Sequence, residues 1–222
     1  MFIKICFLFL LVSATDAFTT SEGNIFLIRH GEKNNKAKSG DVHLNPRGTI
    51  RAGALALFFF PLYSTSKPII SNTEFPAFKS VVAQAATDRY PSRRKIETAQ
   101  PIATAGNIPL RLFDHEDIDG TSEYLLAESR AGRTTLVVWD HTTISDLANQ
   151  LLRLPQDTVH WPMDRYDVIW EVDVRGGTLR QYCQQLLFGD LWCPVNPIQV
   201  YPVTNSFRRY MNGEKGIAPV MS

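Results

Sequence analysis

The sequence has no long run of like charges. Its 23 lysines and arginines are balanced by 22 aspartates and glutamates, for a net charge of +1. That balance excludes a general nucleic-acid or membrane-surface binder, so any positive field that matters is local to a site. Cysteine is scarce too, at three residues in 222. Two cysteines with few histidines nearby make a poor zinc site. No internal repeat or low-complexity segment is present, and no apolar run is long enough to cross a bilayer comfortably.

What is there begins with a short apolar stretch. Residues 5–12 (ICFLFLLV) follow the basic Lys4 and lead into the small-residue segment Ser13 to Ala17. This is the layout of a secretory signal peptide, with cleavage expected after Ala17. Residues 18–222 are then one domain, secreted or periplasmic, with no membrane span in the mature chain. Hydrophobic residues make up 44% of the sequence, enough for a single core. Cys6 leaves with the signal, and an oxidising compartment permits Cys183 and Cys193 to pair. Closing that loop would stabilise the fold by roughly 2.5–3 kcal/mol on the chain-entropy model.

After the signal, apolar strands alternate with amphipathic helices. This predicts an α/β fold, a three-layer α/β/α sandwich with a mostly parallel sheet. Ile25 to Ile28 reads as a buried central strand. Asn45-Pro46 reads as a helix cap with proline at the first helical position, Ile50, Ala54 and Leu57 forming the inner face and the helix stopping before Pro61. Val81 to Ala85 is a second strand. Ser92 is placed as the cap of a helix towards Gly106, with Ile96, Ala99 and Ala103 inward and Pro101 kinking or ending it. Thr121 to Ala131 is a third helix closed by Gly132. Thr135 to Trp139 is a third strand. Thr143 then caps a helix whose core face is Ile144, Leu147, Ala148 and Leu151. Val168 to Val174, Gly176-Gly177 and Thr178 to Gln184 predict an antiparallel edge hairpin. The proline-rich tail after Pro194 is expected to be an extended surface wrap.

Chemistry-bearing residues gather at strand ends, where open parallel sheets build their sites. The first strand ends in Arg29-His30-Gly31-Glu32. The second leads to Arg89 and Arg93-Arg94. The third ends in Asp140-His141. The order of these segments resembles the histidine phosphatases of the phosphoglycerate mutase-like branch. The resemblance rests on Leu27-Ile28-Arg29-His30-Gly31-Glu32-Lys33, on Leu44 to Gly48 with Arg51 to Leu55, on Arg94-x-x-x-Thr98-Ala99, and on His141 after an apolar strand. It runs from about Ile25 to Leu152.

The resemblance implies a phosphomonoester hydrolase acting on a small phosphorylated substrate, with no cofactor and no metal, because arginines take the clamping role. A neutral His30 nitrogen would attack phosphorus and form phosphohistidine. Gly31 would let the backbone turn tightly under the phosphate. Arg29 and Arg94 would hold phosphoryl oxygens through paired N–H donors, and His141 would add a third cationic donor. Arg89 or Arg93 is the alternative to Arg94, and Glu32 and Lys33 read as exposed loop charges. The acid that protonates the leaving oxygen is open between Asp140 and Glu116, the latter lying in the acidic stretch Asp114-His115-Glu116-Asp117. His43, His115 and His160 read as non-catalytic, and the tryptophans as packing. The basic loop Lys33 to Lys38 would steer anions inward. Two rival functions stand beside this one: a secreted phosphate-ligand binding protein without turnover, and a phosphomutase, which the missing insertions disfavour.

Overall fold

Alternation decides which side of the sheet each strand residue faces, and the strands Ile25–Arg29 and Thr134–Trp139 show it most plainly. The protein is seen in a computed structural model that describes residues 22–34, 40–61, 69–70, 73–74, 76–191 and 193. The signal segment, Cys6, most of the loop after Lys33, Trp192 and the tail after Pro194 lie outside the described residues.

Strand β1 (Ile25–Arg29) is buried along its whole length. It is followed by α1 (Pro46–Phe59), the short strands β2 (Ile69–Ile70) and β3 (Thr73–Glu74), β4 (Phe78–Gln84), α2 (Arg94–Gly106), β5 (Leu110–Phe113), α3 (Ile118–Arg130), β6 (Thr134–Trp139), α4 (Ile144–Leu151), β7 (Val168–Asp173) and β8 (Thr178–Cys183). Six strands form one sheet in the order β5-β4-β6-β1-β7-β8. β5, β4, β6 and β1 are mutually parallel, whereas β7 runs antiparallel to β1 and to β8. The expected three-layer sandwich with an antiparallel edge hairpin is therefore present. On one face, Phe26, Ile28, Val81, Ala83, Leu136 and Val138 pack against α1 and α2. On the other, Ile25, Leu27, Val82, Val137 and Trp139 pack against α3 and α4.

Several local expectations need correcting. The buried face of α1 is Arg51, Ala52, Leu55, Ala56 and Phe59, while Ile50 and Leu57 are more than half exposed. The helix is turned because Arg51 is drawn inward by ion pairs to Glu32 and Asp190. Asn45 does cap α1, accepting from the Gly48 N–H at 2.8 Å, with Pro46 in the first turn. Helix α2 starts at Arg94 without a side-chain cap and continues through Pro101 to Gly106, so the proline neither ends it nor separates it from its core contacts. Helix α3 starts three residues early because Asp117, the last residue of the acidic stretch, caps it through the Gly120 N–H. Thr143 precedes α4 but does not cap it with its hydroxyl, which instead accepts from Trp139 Nε1 and Gln84 Nε2. Strand β5 had no periodic signal because it lies at the sheet edge with half its residues exposed. Cys183 and Cys193 are joined by a disulfide, with Cα atoms 5.6 Å apart.

Candidate active site

The register of β1 against β6 creates the site. Arg29 pairs with Trp139, so the chain leaves both strands side by side, and the His30 N–H donates to the Trp139 carbonyl. His30 and Asp140 are thereby brought together: His30 Nε2 lies 3.7 Å from Asp140 Oδ2. The neighbouring strand β4 ends in the fully buried Gln84, whose Oε1 accepts the Asp140 N–H at 3.0 Å and fixes that turn. His141 follows, its Nδ1 3.1 Å from Asp140 Oδ1, close enough for an ion pair but misaligned for a hydrogen bond. The two imidazole rings stand 6.5 Å apart and nearly perpendicular.

His30 is fully buried, and its tautomer is set by its own loop. Nδ1 lies 2.7 Å from the Gly31 carbonyl oxygen, which can only accept, so Nδ1 carries the hydrogen. Nε2 is left with a free lone pair and no hydrogen-bond partner among the described residues. Burial pulls the His30 pKa from 6.5 down to about 3, opposed by the Gly31 carbonyl and Asp140 and assisted by Arg29 and Arg94. The ring is therefore neutral across the physiological range.

Two guanidiniums act on this ring, one from the sheet and one from a helix. Arg29 continues the Ile25, Leu27 row of β1 and is anchored by the carbonyls of Met163 and Arg165 and by the Tyr166 hydroxyl at 3.1 Å. Its guanidinium also lies 3.8 Å above the Tyr166 ring, a cation–π contact. Arg94 comes from the first turn of α2 and donates Nη1 to the Asp41 carbonyl at 2.9 Å. In both arginines Nε is buried and unpartnered. Thr98 explains the spacing of the Arg94-x-x-x-Thr98 pair. Its hydroxyl donates to the Arg94 carbonyl and accepts from the Gly31 N–H at 2.9 Å, tying α2 to the His30 loop.

Gly31 also has a packing role. A Cβ there would meet the Gly48 carbonyl oxygen at 2.7 Å, so the missing side chain is what lets α1 pack against the loop. Gly48 returns the constraint, since its own Cβ would meet the Glu32 carbonyl oxygen. Glu32 is also not an exposed loop charge. It is buried and held by Arg47 and by three contacts from Arg51, which in turn binds Asp190 at 2.6 Å and Gln184 at 2.9 Å.

The structure does not bring Arg89 and Glu116 to these atoms. They pair with each other at 2.8 Å, with 72% and 50% of their side chains exposed, and Glu116 also accepts from the Tyr90 hydroxyl. No hydrogen bond or ion pair joins either one to His30, Asp140 or Arg94. His43 pairs with Glu97 and His115 stacks on Tyr90. Trp139, Trp161 and Trp170 are core residues. Tyr166, Gln84 and Lys95 went unnoticed in the sequence. The first two carry no motif signal, but Lys95 sits beside Arg94 and is 1% exposed.

Asp140 is the carboxylate of this pocket. Burial pushes its pKa up, but His141, the Thr142 N–H, His30 and the Thr142 hydroxyl together outweigh burial and hold it well below the usual carboxylate range. His30, Asp140 and His141 offer one ligating atom each within 4.8 Å of one another, a spacing that a metal ion could bridge. Arg29 and Arg94 act on the same ring, however, and their field opposes a cation and favours an anion.

No protein-family model and no curated protein matches the sequence. Among solved structures, a mycobacterial glucosyl-3-phosphoglycerate phosphatase in complex with VO3 is 15% identical, the match covering 68% of this chain and 91% of that one, with a TM-score of 0.43. The alpha-ribazole phosphatase of Shigella flexneri is 16% identical, with coverage of 71% and 89% and a TM-score of 0.41. Similarity this distant assigns no function, so the chemistry of the pocket has to carry one. Among the described residues, no helix is long and apolar enough to cross a membrane.

Proposed function

We propose that this chain hydrolyses phosphomonoesters in two steps through a phosphohistidine on His30. One observation carries the reading. Four buried polar atoms without a hydrogen-bond partner, Arg29 Nε, His30 Nε2, Arg94 Nε and His141 Nδ1, belong to residues of a single constellation. Buried polar groups are ordinarily satisfied, and this set offers one nucleophilic lone pair beside two guanidiniums and a second imidazole. A phosphoryl group fits both needs at once.

In the first step the His30 Nε2 lone pair bonds to phosphorus as the bond to the leaving oxygen breaks. Arg29, Arg94 and His141 hold the non-bridging oxygens. Asp140 takes up a proton when the dianion arrives beside it and passes that proton to the leaving oxygen. In the second step Asp140 accepts a proton from water, whose oxygen attacks phosphorus and breaks the P–N bond. Inorganic phosphate leaves and His30 is regenerated. Asp140 is favoured over Glu116 because it is the acid next to the nucleophile.

Export belongs to the same proposal. The apolar leader and the Cys183–Cys193 bridge both support an oxidising destination. An exported chain should begin at Phe18 by mass.

A second reading is a pocket that binds phosphate without turnover. The depressed pKa of Asp140 favours it, because that carboxyl carries no proton at neutral pH before substrate binds. Incubating the mature protein with an activated aryl phosphate, beside His30→Ala, separates the two. Phosphate release by the unaltered protein alone supports the hydrolase. Phosphate binding without release supports the second reading. Release that survives His30→Ala eliminates the covalent route.

A further inference from the structure

We propose, on the basis of the phosphoryl-pocket reading above, that Lys95 is a further substrate-binding residue whose ammonium contacts a non-bridging oxygen of the phosphoryl group. The observation behind it is a cation on a nearly buried side chain with no partner among the described residues. Lys95 is 1% exposed and ranks among the largest buried side chains. Its Nζ is not among the fully buried unpartnered atoms and so keeps a small contact with the surface, and none of the described residues accepts a hydrogen bond from it or forms an ion pair with it. Desolvating an unpaired ammonium costs several kcal/mol, so such a group persists only where something else offsets the cost.

Its position says what that is. Lys95 lies in the first turn of α2, one residue after Arg94 and three before Thr98. Spacing of three places Lys95 and Thr98 on one helix face, and that face meets the His30–Gly31 turn through the Thr98 hydroxyl. The charges that act on Lys95 are Asp140 and Arg94, both members of the pocket, against a burial effect that lowers its pKa.

Charge points the same way. Lys95 adds a positive charge to those of Arg29 and Arg94 beside the single carboxylate Asp140, in a site proposed to hold a phosphoryl dianion. Glu32 is balanced elsewhere, since Arg47 and Arg51 pair with it and with Asp190.

The test is calorimetric titration of the full chain with inorganic phosphate, for the unaltered protein, Lys95→Met and Lys95→Gln. Losing one charge-assisted contact should weaken binding about tenfold to a hundredfold. The ligand-free thermal midpoint should hold or rise, because a partnerless buried charge has been removed. Affinity unchanged in either variant overturns the proposal, as does a lower ligand-free midpoint with unchanged affinity, which would mark a structural lysine. If the unaltered protein does not bind phosphate, the pocket reading falls and this proposal falls with it. Binding by the unaltered protein with insensitive variants refutes the Lys95 assignment alone. Should neither variant fold, the side-chain nitrogen resonance of Lys95 in the unaltered protein must still shift on adding phosphate, and a resonance that stays put overturns the proposal.

Discussion

Replacing His30 with glutamine separates the acid–base behaviour of the buried imidazole from its packing. Burial lowers the His30 pKa from 6.5 to about 3. The unfolded chain takes up this proton near pH 6.5, whereas the folded chain refuses it until about pH 3. Between those values the unfolded state binds more protons, so stability falls as pH falls. With about 1.4 kcal/mol per pKa unit, moving from about pH 7 to about pH 4.5 removes roughly 2.5 kcal/mol through this one side chain. Asp140 adds little over that range, because its contribution is lost mainly below its unfolded value of 3.8. Urea unfolding in phosphate-free buffer at both pH values measures the effect. The unaltered protein should lose roughly 2.5 kcal/mol more than His30→Gln between them. Equal losses would refute the reasoning, since they would mean that the folded ring accepts its proton as readily as the unfolded one.

Two further outcomes follow from the same geometry. Thr98→Val keeps the shape of the side chain but leaves the Gly31 N–H without its acceptor, and should lower unfolding free energy by about 1–3 kcal/mol in denaturant titrations. Asp140→Asn should lower kcat by about 10²–10⁴ on an alkyl phosphate, with KM nearly constant. On a nitrophenyl phosphate, whose leaving group needs no proton, the loss should be far smaller, and equal losses on both substrates would remove Asp140 from the acid role.

Much of this architecture was legible because it is local. The runs IFLI and LVVW are apolar throughout, as suits strands buried on both faces, and β1 and β6 do stand side by side at the sheet's centre. The Asn45-Pro46 start of α1 and the glycine turn of the β7–β8 hairpin were legible for the same reason, since caps and turns are chemistry between near neighbours. His30, Arg29, Asp140 and Arg94 could be placed together because parallel strands deliver their carboxyl ends to one rim. Glu116 and Arg89 could not be told apart from site residues, because a surface pair that neutralises itself reads the same in a sequence as two charges aimed at a ligand.

What stayed hidden was decided by partners far away in the chain. The inner face of α1 was misplaced because periodicity assigns arginine to solvent, yet Arg51 is 1% exposed. It is held there by Glu32, 19 residues away, and by Asp190, 139 residues away. Asp190 is presented by a loop whose backbone it also fixes, accepting from the Leu186 and Leu187 N–H groups. The Cys183–Cys193 bridge closes that loop. Disulfide, Asp190, Arg51 and Glu32 thus form one chain of contacts ending two residues from His30. Removing either partner of a buried pair leaves an uncompensated charge, so these groups depend on one another. The chain of contacts places the rigidity of the nucleophile's loop in an element at the far end of the sequence. The same holds for Lys95: its significance lies in the absence of a protein partner, a property that exists only after the chain has folded.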